Sequence, residues 1–98
     1  MVKIVWTEQA IDDLLNIADF ESRYSEKYAS AIISRLFYRP NILKNMPLIG
    51  RIVPEKENKN LRELIEGNYR IIYRYATDKN RVEILTVHHS ARPLNVNL

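Results

Sequence analysis

The hydrophobic period of this chain changes from helical to strand-like between Pro47 and Pro54, and that change constrains the fold class more than any other feature. Before it, apolar residues recur at helical spacing. Ile11, Leu14, Leu15 and Ala18 stand at i, i+3, i+4 and i+7, and Tyr28, Ala29, Ile32, Ile33, Leu36 and Phe37 form a second stripe, the pattern of two amphipathic helices. After it come three strand-like runs, "LRELIE" (61–66), "YRIIYRYA" (69–76) and "RVEILTVHH" (81–89). Gly67-Asn68 and "TDKN" separate them, connections short enough for hairpins.

Local signals place the boundaries. "VKIVW" predicts a short strand over Lys3–Trp6, with Ile4 and Trp6 on one face. Thr7 and Ser25 are good helix N-caps, each followed by a glutamate that suits the helix dipole. The first helix is expected over about residues 8–22. Pro40 has no amide hydrogen to donate, so the second helix kinks or stops there, and "NILKN" adds one more turn before Pro47. Residues 55–60 are all charged or amide side chains, as in a surface loop. The predicted order is β-α-α-β-β-β: an α+β domain whose antiparallel sheet carries a helical hairpin on one face. Its parts are the hairpin at about 8–45, a loop at 46–60, a three-stranded portion at 61–89 and a short tail at 90–98.

Composition removes several function classes. The chain has no cysteine, which excludes a disulfide scaffold, a thiolate zinc site and a cysteine nucleophile, and agrees with a cytoplasmic location. No apolar run approaches the ~20 residues of a membrane span, so no membrane partner is expected. Charge is uneven. Residues 1–26 hold two basic and six acidic side chains, a net of −4, and residues 27–98 hold thirteen and six, a net of +7. A basic body of this kind suits an anionic partner, or is solvated charge around a small core.

The chemistry-bearing residues cluster late, in "VHHSARP" (87–93). With Asp78-Lys79 at a hairpin tip, Arg74 faces Glu83 and Tyr73 faces Ile84. Alternation then puts Tyr69, Ile71, Tyr73 and Tyr75 with Val82, Ile84, Thr86 and His88 under the helices. Arg70, Ile72 and Arg74 share the other face with Arg81, Glu83, Leu85, Val87 and His89; a bulge would change this facing. On this pattern His88 packs against Tyr69, and His89 lies open beside Arg70. Adjacent strand histidines diverge, so the pair is a poor chelate, and neither metal nor cofactor is expected. Arg70, His89 and Arg92 could supply the base, acid and cations of RNA cleavage, or form a salt-bridged basic surface without chemistry. Spacing alone favours the surface.

The element order, with "GRIVPE", "LREL", "YRIIYRY" and "VEILTVHHSARPL", resembles the RelE/ParE superfamily of type II toxin–antitoxin toxins over nearly the whole chain. The resemblance implies a bacterial toxin of the kind linked to plasmid stabilisation, held by a cognate antitoxin in a hetero-oligomer. RelE-like members are ribosome-dependent mRNA endonucleases; ParE-like members poison DNA gyrase without cutting nucleic acid themselves. Arg70 matches the phosphate-binding arginine of the RNases, and Arg92 matches their late arginine only after a register shift. Their late tyrosine is missing, since no tyrosine follows Tyr75, and only Lys56 and Lys59 stand for their basic cluster. The "VHHSARPL" ending looks more like ParE. The ParE-like reading is therefore favoured, with no catalytic residue, Arg70, Arg74, His89 and Arg92 as target-binding residues and DNA gyrase as target. The alternative is an endoribonuclease acting on ribosome-bound mRNA through Arg70, His89 and Arg92, and a distant third is a basic binding module. Exposed apolar stripes mark interaction sites, so Ile32, Ile33, Leu36 and Phe37 are expected to bind the antitoxin.

Overall fold

The computed structural model describes residues 1–94 and 98. Both predicted caps form: Thr7 and Ser25 hydroxyls accept from the backbone N–H of Ala10 and Tyr28, satisfying donors that helix starts leave free. The helices run over Glu8–Ser22 (α1) and Glu26–Tyr38 (α2), and Pro40 turns the chain into a 3-10 segment at Arg39–Lys44. The strands are Lys3–Trp6 (β1), Arg51–Ile52 (β2), Leu61–Glu66 (β3), Tyr69–Ala76 (β4) and Arg81–His89 (β5). Gly67, at φ 57°, makes the tight β3–β4 turn.

The expected α+β class and the hairpin-covered sheet hold, with two changes. Among the described residues the sheet has five strands in the order β1-β5-β4-β3-β2 and is mixed, because β1 lies parallel to β5, Lys3 opposite Arg81 and Trp6 opposite Ile84. The long connection through both helices permits that parallel pairing. In addition, β2 lies inside the expected loop 46–60 and pairs Arg51 with Glu63; two residues are too few to show an alternating pattern. Of the predicted tail 90–98, residues 95–97 lie outside the described residues.

The helix faces also differ from expectation. Ala10 and Leu14 are buried and Ile17 packs against the core, whereas Ile11 and Leu15 face outward, Leu15 being 64% exposed. Two anchors set this rotation. The Thr7 hydroxyl donates to the carbonyls of Ile84 and Leu85. Nearly two turns on, the Asp13 carboxylate accepts from Val87 N–H, the Thr86 hydroxyl and the Gln9 amide. Asp13 thus covers the edge of β5 beyond the end of β1, where an open strand edge would otherwise remain.

The main core lies between sheet and helices, with Ile32, Leu36, Leu43, Ile71, Tyr73 and Ile84 essentially inaccessible. A smaller cluster covers part of the other face: Val53, Leu61 and Ile72, packed by Leu85, Leu94 and Leu98. The β4–β5 register carries a bulge. Tyr73 pairs with Ile84 but Ile72 pairs with Thr86, leaving Leu85 as the extra residue. From that point on every β5 side chain exchanges faces relative to a simple hairpin.

Candidate functional site

The bulge decides where the late histidines stand. Tyr69 pairs with His89, and Arg70 pairs with His88, which corrects the expected facing of both histidines. His89 packs edge-to-face on Tyr69, and its side chain lies on the opposite face of the sheet from Arg70. A groove of about 460 Å³ opens there, between α1 and the end of β5, with Ile17, Phe20 and Val87 as its apolar wall and His88, His89 and Arg92 at its rim. Ala91 N–H donates to His89 Nδ1, so the neutral ring carries its proton on Nε2. His88 Nε2 donates to the Arg92 carbonyl at 3.1 Å. Burial, reinforced by Glu21 at 3.3 Å from the hydroxyl, pushes Tyr69 up to about 12.

Arg70 sits in a charge network on the other face. Its Nε donates to Glu63 Oε1 at 2.6 Å, and Nη1 and Nη2 donate to the two oxygens of Glu55 at 2.8 Å each. Arg51 Nε engages the remaining Glu63 oxygen. Arg70 is 6% and Glu63 1% exposed; such burial is tolerable because both carboxylate oxygens of Glu63 are paired. The Arg70 hydrogen bonds hold the Glu55 carboxyl at about 2, well below its usual range, and hold Arg70 still more firmly protonated than an ordinary arginine.

The structure therefore separates the predicted site residues. His89 and Arg92 line the groove, while Arg70 and Arg74 lie across the sheet, with Arg74 3.4 Å from Glu83. Expected to be open, Arg70 is buried and ion-paired. Ile32 and Leu36 are interior, so they offer no surface to a partner, because the helical stripe serves this chain's own core; Ile33 and Phe37 are partly exposed. Glu55 and Glu63 hold Arg70, and Asp13 lines the groove, none of which was expected from the sequence. For Glu63 a signal existed: a Gly67-Asn68 turn places Glu63 and Arg70 on one face of the hairpin.

A family model described as "ParE toxin of type II toxin-antitoxin system, parDE" matches residues 4–94. The chain belongs to the RelE/ParE superfamily of type II toxins. It is 32% identical over 92 residues to Toxin RelE2 of Caulobacter vibrioides, covering 94% of this chain and 99% of that one. Its fold is that of a chain of the chromosomal ParDE toxin–antitoxin system from P. aeruginosa, with TM-score 0.76, 21% identity and coverage of 91% and 96%. It is also that of the isolated E. coli RelE toxin, with TM-score 0.70, 13% identity and coverage of 95% and 88%. No helix among the described residues is long and apolar enough to cross a membrane.

Proposed function

We propose that this toxin is ParE-like: it inhibits DNA gyrase through protein contacts, is neutralised by a cognate antitoxin, and does not itself cut RNA. One observation carries the reading. RNA cleavage by this chain would need Arg70 and His89 to converge on one phosphate, with a base, an acid and cations in place. Instead Arg70 is clamped by Glu55 and Glu63, and His89 stands on the opposite face beside Tyr69. The absence of a tyrosine after Tyr75 supports the same conclusion.

On this reading His89 and Arg92 contact the target from the rim of the groove. Ile33 and Phe37, the latter stacked on Trp6 at 5.4 Å, belong to the antitoxin surface, together with exposed Leu15 and Tyr38. The ParDE name of one structural neighbour supports an antitoxin partner. The second reading, a RelE-like ribosome-dependent endoribonuclease, is favoured by the name of the Caulobacter relative.

The test is induction of the chain without its partner in cells. DNA-damage signalling and filamentation with intact transcripts are expected. Ribosome-associated cuts within codons, abolished by Arg70→Ala, would overturn the proposal in favour of the second reading.

A further inference from the structure

Glu63 organises two guanidinium groups at once. Arg51 directs Nε at one oxygen of the buried Glu63 carboxylate, and Arg70 meets the other with Nε and Nη2. The outer end of the Arg51 fork faces solvent, while that of Arg70 is buried beneath Glu55. Around them lies a hollow of about 180 Å³, lined by Arg51, Pro54, Glu55, Ile65, Arg70 and Ser90. Guanidinium forks placed side by side are the usual recognition element for phosphate and carboxylate oxyanions. An oxyanion is already present. Glu55 reaches in from the connection between β2 and β3 and takes Nη1 and Nη2 of Arg70 with both of its oxygens. Among the described residues the Glu55 side chain has no other ion-pair partner, and it remains 40% exposed. Among the described residues the Arg51 side chain pairs with Glu63 alone, and it is 62% exposed.

We propose that Glu55 is the specificity-determining residue of this face: its carboxylate fills an oxyanion cradle built from Arg51 and Arg70 and so excludes phosphate groups, those of nucleic acid included. A carboxylate tethered beside the cradle acts at an effective concentration of millimolar or above. A free phosphate group below that concentration is outcompeted, and one borne on a chain must also bring its own charge up to Glu55. Because Glu55 stays ionised throughout the physiological range, it does not release the cradle by itself. With Glu55 gone, the charges of Arg51, Arg70 and Glu63 sum to +1, and the Arg70 donors point into an open hollow. The inference deepens the non-nucleolytic reading above by naming the residue that keeps phosphate off the sheet.

The experiment is calorimetric titration of the whole chain with inorganic pyrophosphate at low ionic strength. Glu55→Ala is expected to bind at least ten-fold more tightly than the wild type. Adding Arg51→Ala to that variant is expected to return it to the wild-type level. Glu55→Gln keeps the side-chain shape without the charge, and is expected to show a smaller gain in the same direction should the alanine variant not fold. Two results would overturn the proposal: no gain in binding by folded Glu55 variants over the wild type, or a gain that survives Arg51→Ala. Neither of them bears on gyrase inhibition, which the cell assay reads separately.

Discussion

Tyr69 and His89 stand directly opposite each other across the β4–β5 ladder, their rings 5.3 Å apart and inclined at 78°. The contact exists because Leu85 is an extra residue in β5. Without that bulge His89 would lie with Arg70, and a phosphate clamp and a titratable base would share one face. Removing the ring should cost the packing of an edge-to-face aromatic pair, so His89→Ala is expected to lower unfolding free energy by about 1 kcal/mol. Urea denaturation measures this; an unchanged midpoint would contradict the contact.

Gly50 has no room for a side chain. A β-carbon there would come within 2.6 Å of both the Glu63 carbonyl oxygen and the Tyr73 hydroxyl. Gly50→Ala should therefore destabilise by about 1–3 kcal/mol through overpacking. Tyr73→Phe, which removes the hydroxyl that accepts from Gly50 N–H, should not rescue it, since the Glu63 carbonyl remains in the way. Denaturation of the two single variants and the double variant checks this.

The Glu55–Arg70 pair has an acid signature. Glu55 has a folded-state value of about 2 against 4.5 for an ordinary glutamate, chiefly through its Arg70 hydrogen bonds. A depressed carboxyl contributes stability that is fully present above its unfolded value and is lost as pH falls through the folded one. The wild type should therefore lose stability relative to Glu55→Gln between about pH 4.5 and 2. Paired thermal melts across that range show the difference, and parallel curves would refute it.

Two neighbours on α2 should behave oppositely. Leu36 is fully buried, and Leu36→Ala should cost about 2–5 kcal/mol of stability. Phe37 is 43% exposed, and Phe37→Ala should leave the fold largely intact while weakening antitoxin binding about ten-fold or more. Melting temperature and partner titration separate the two effects; an undiminished affinity would remove Phe37 from the docking surface.

What could be read from the sequence was local. Caps at Thr7 and Ser25, the break at Pro40 and the three long strands follow from residue chemistry, and they appear where expected. The pairing of β1 with β5 was not legible, because it joins segments nearly eighty residues apart in the chain. Nor was the bulge at Leu85, since "EILTV" alternates no differently from a regular strand. That one residue exchanged the two histidines and so decided the site. The rotation of α1 depends on Thr7 and Asp13 meeting β5, which no periodicity encodes. The ion-paired state of Arg70 needed Glu63 from the neighbouring strand and Glu55 from a connection with no pattern of its own.

Gyrase inhibition without RNA cleavage, as proposed for this toxin, can be tested directly. The most direct measurement incubates the purified chain with DNA gyrase and supercoiled plasmid in one tube, and with ribosomes engaged on mRNA in another. Dose-dependent accumulation of gyrase-cleaved DNA, weakened by His89→Ala and Arg92→Ala, is expected, with the mRNA intact. Cleaved mRNA in the ribosome tube, with gyrase unaffected, would contradict the proposal.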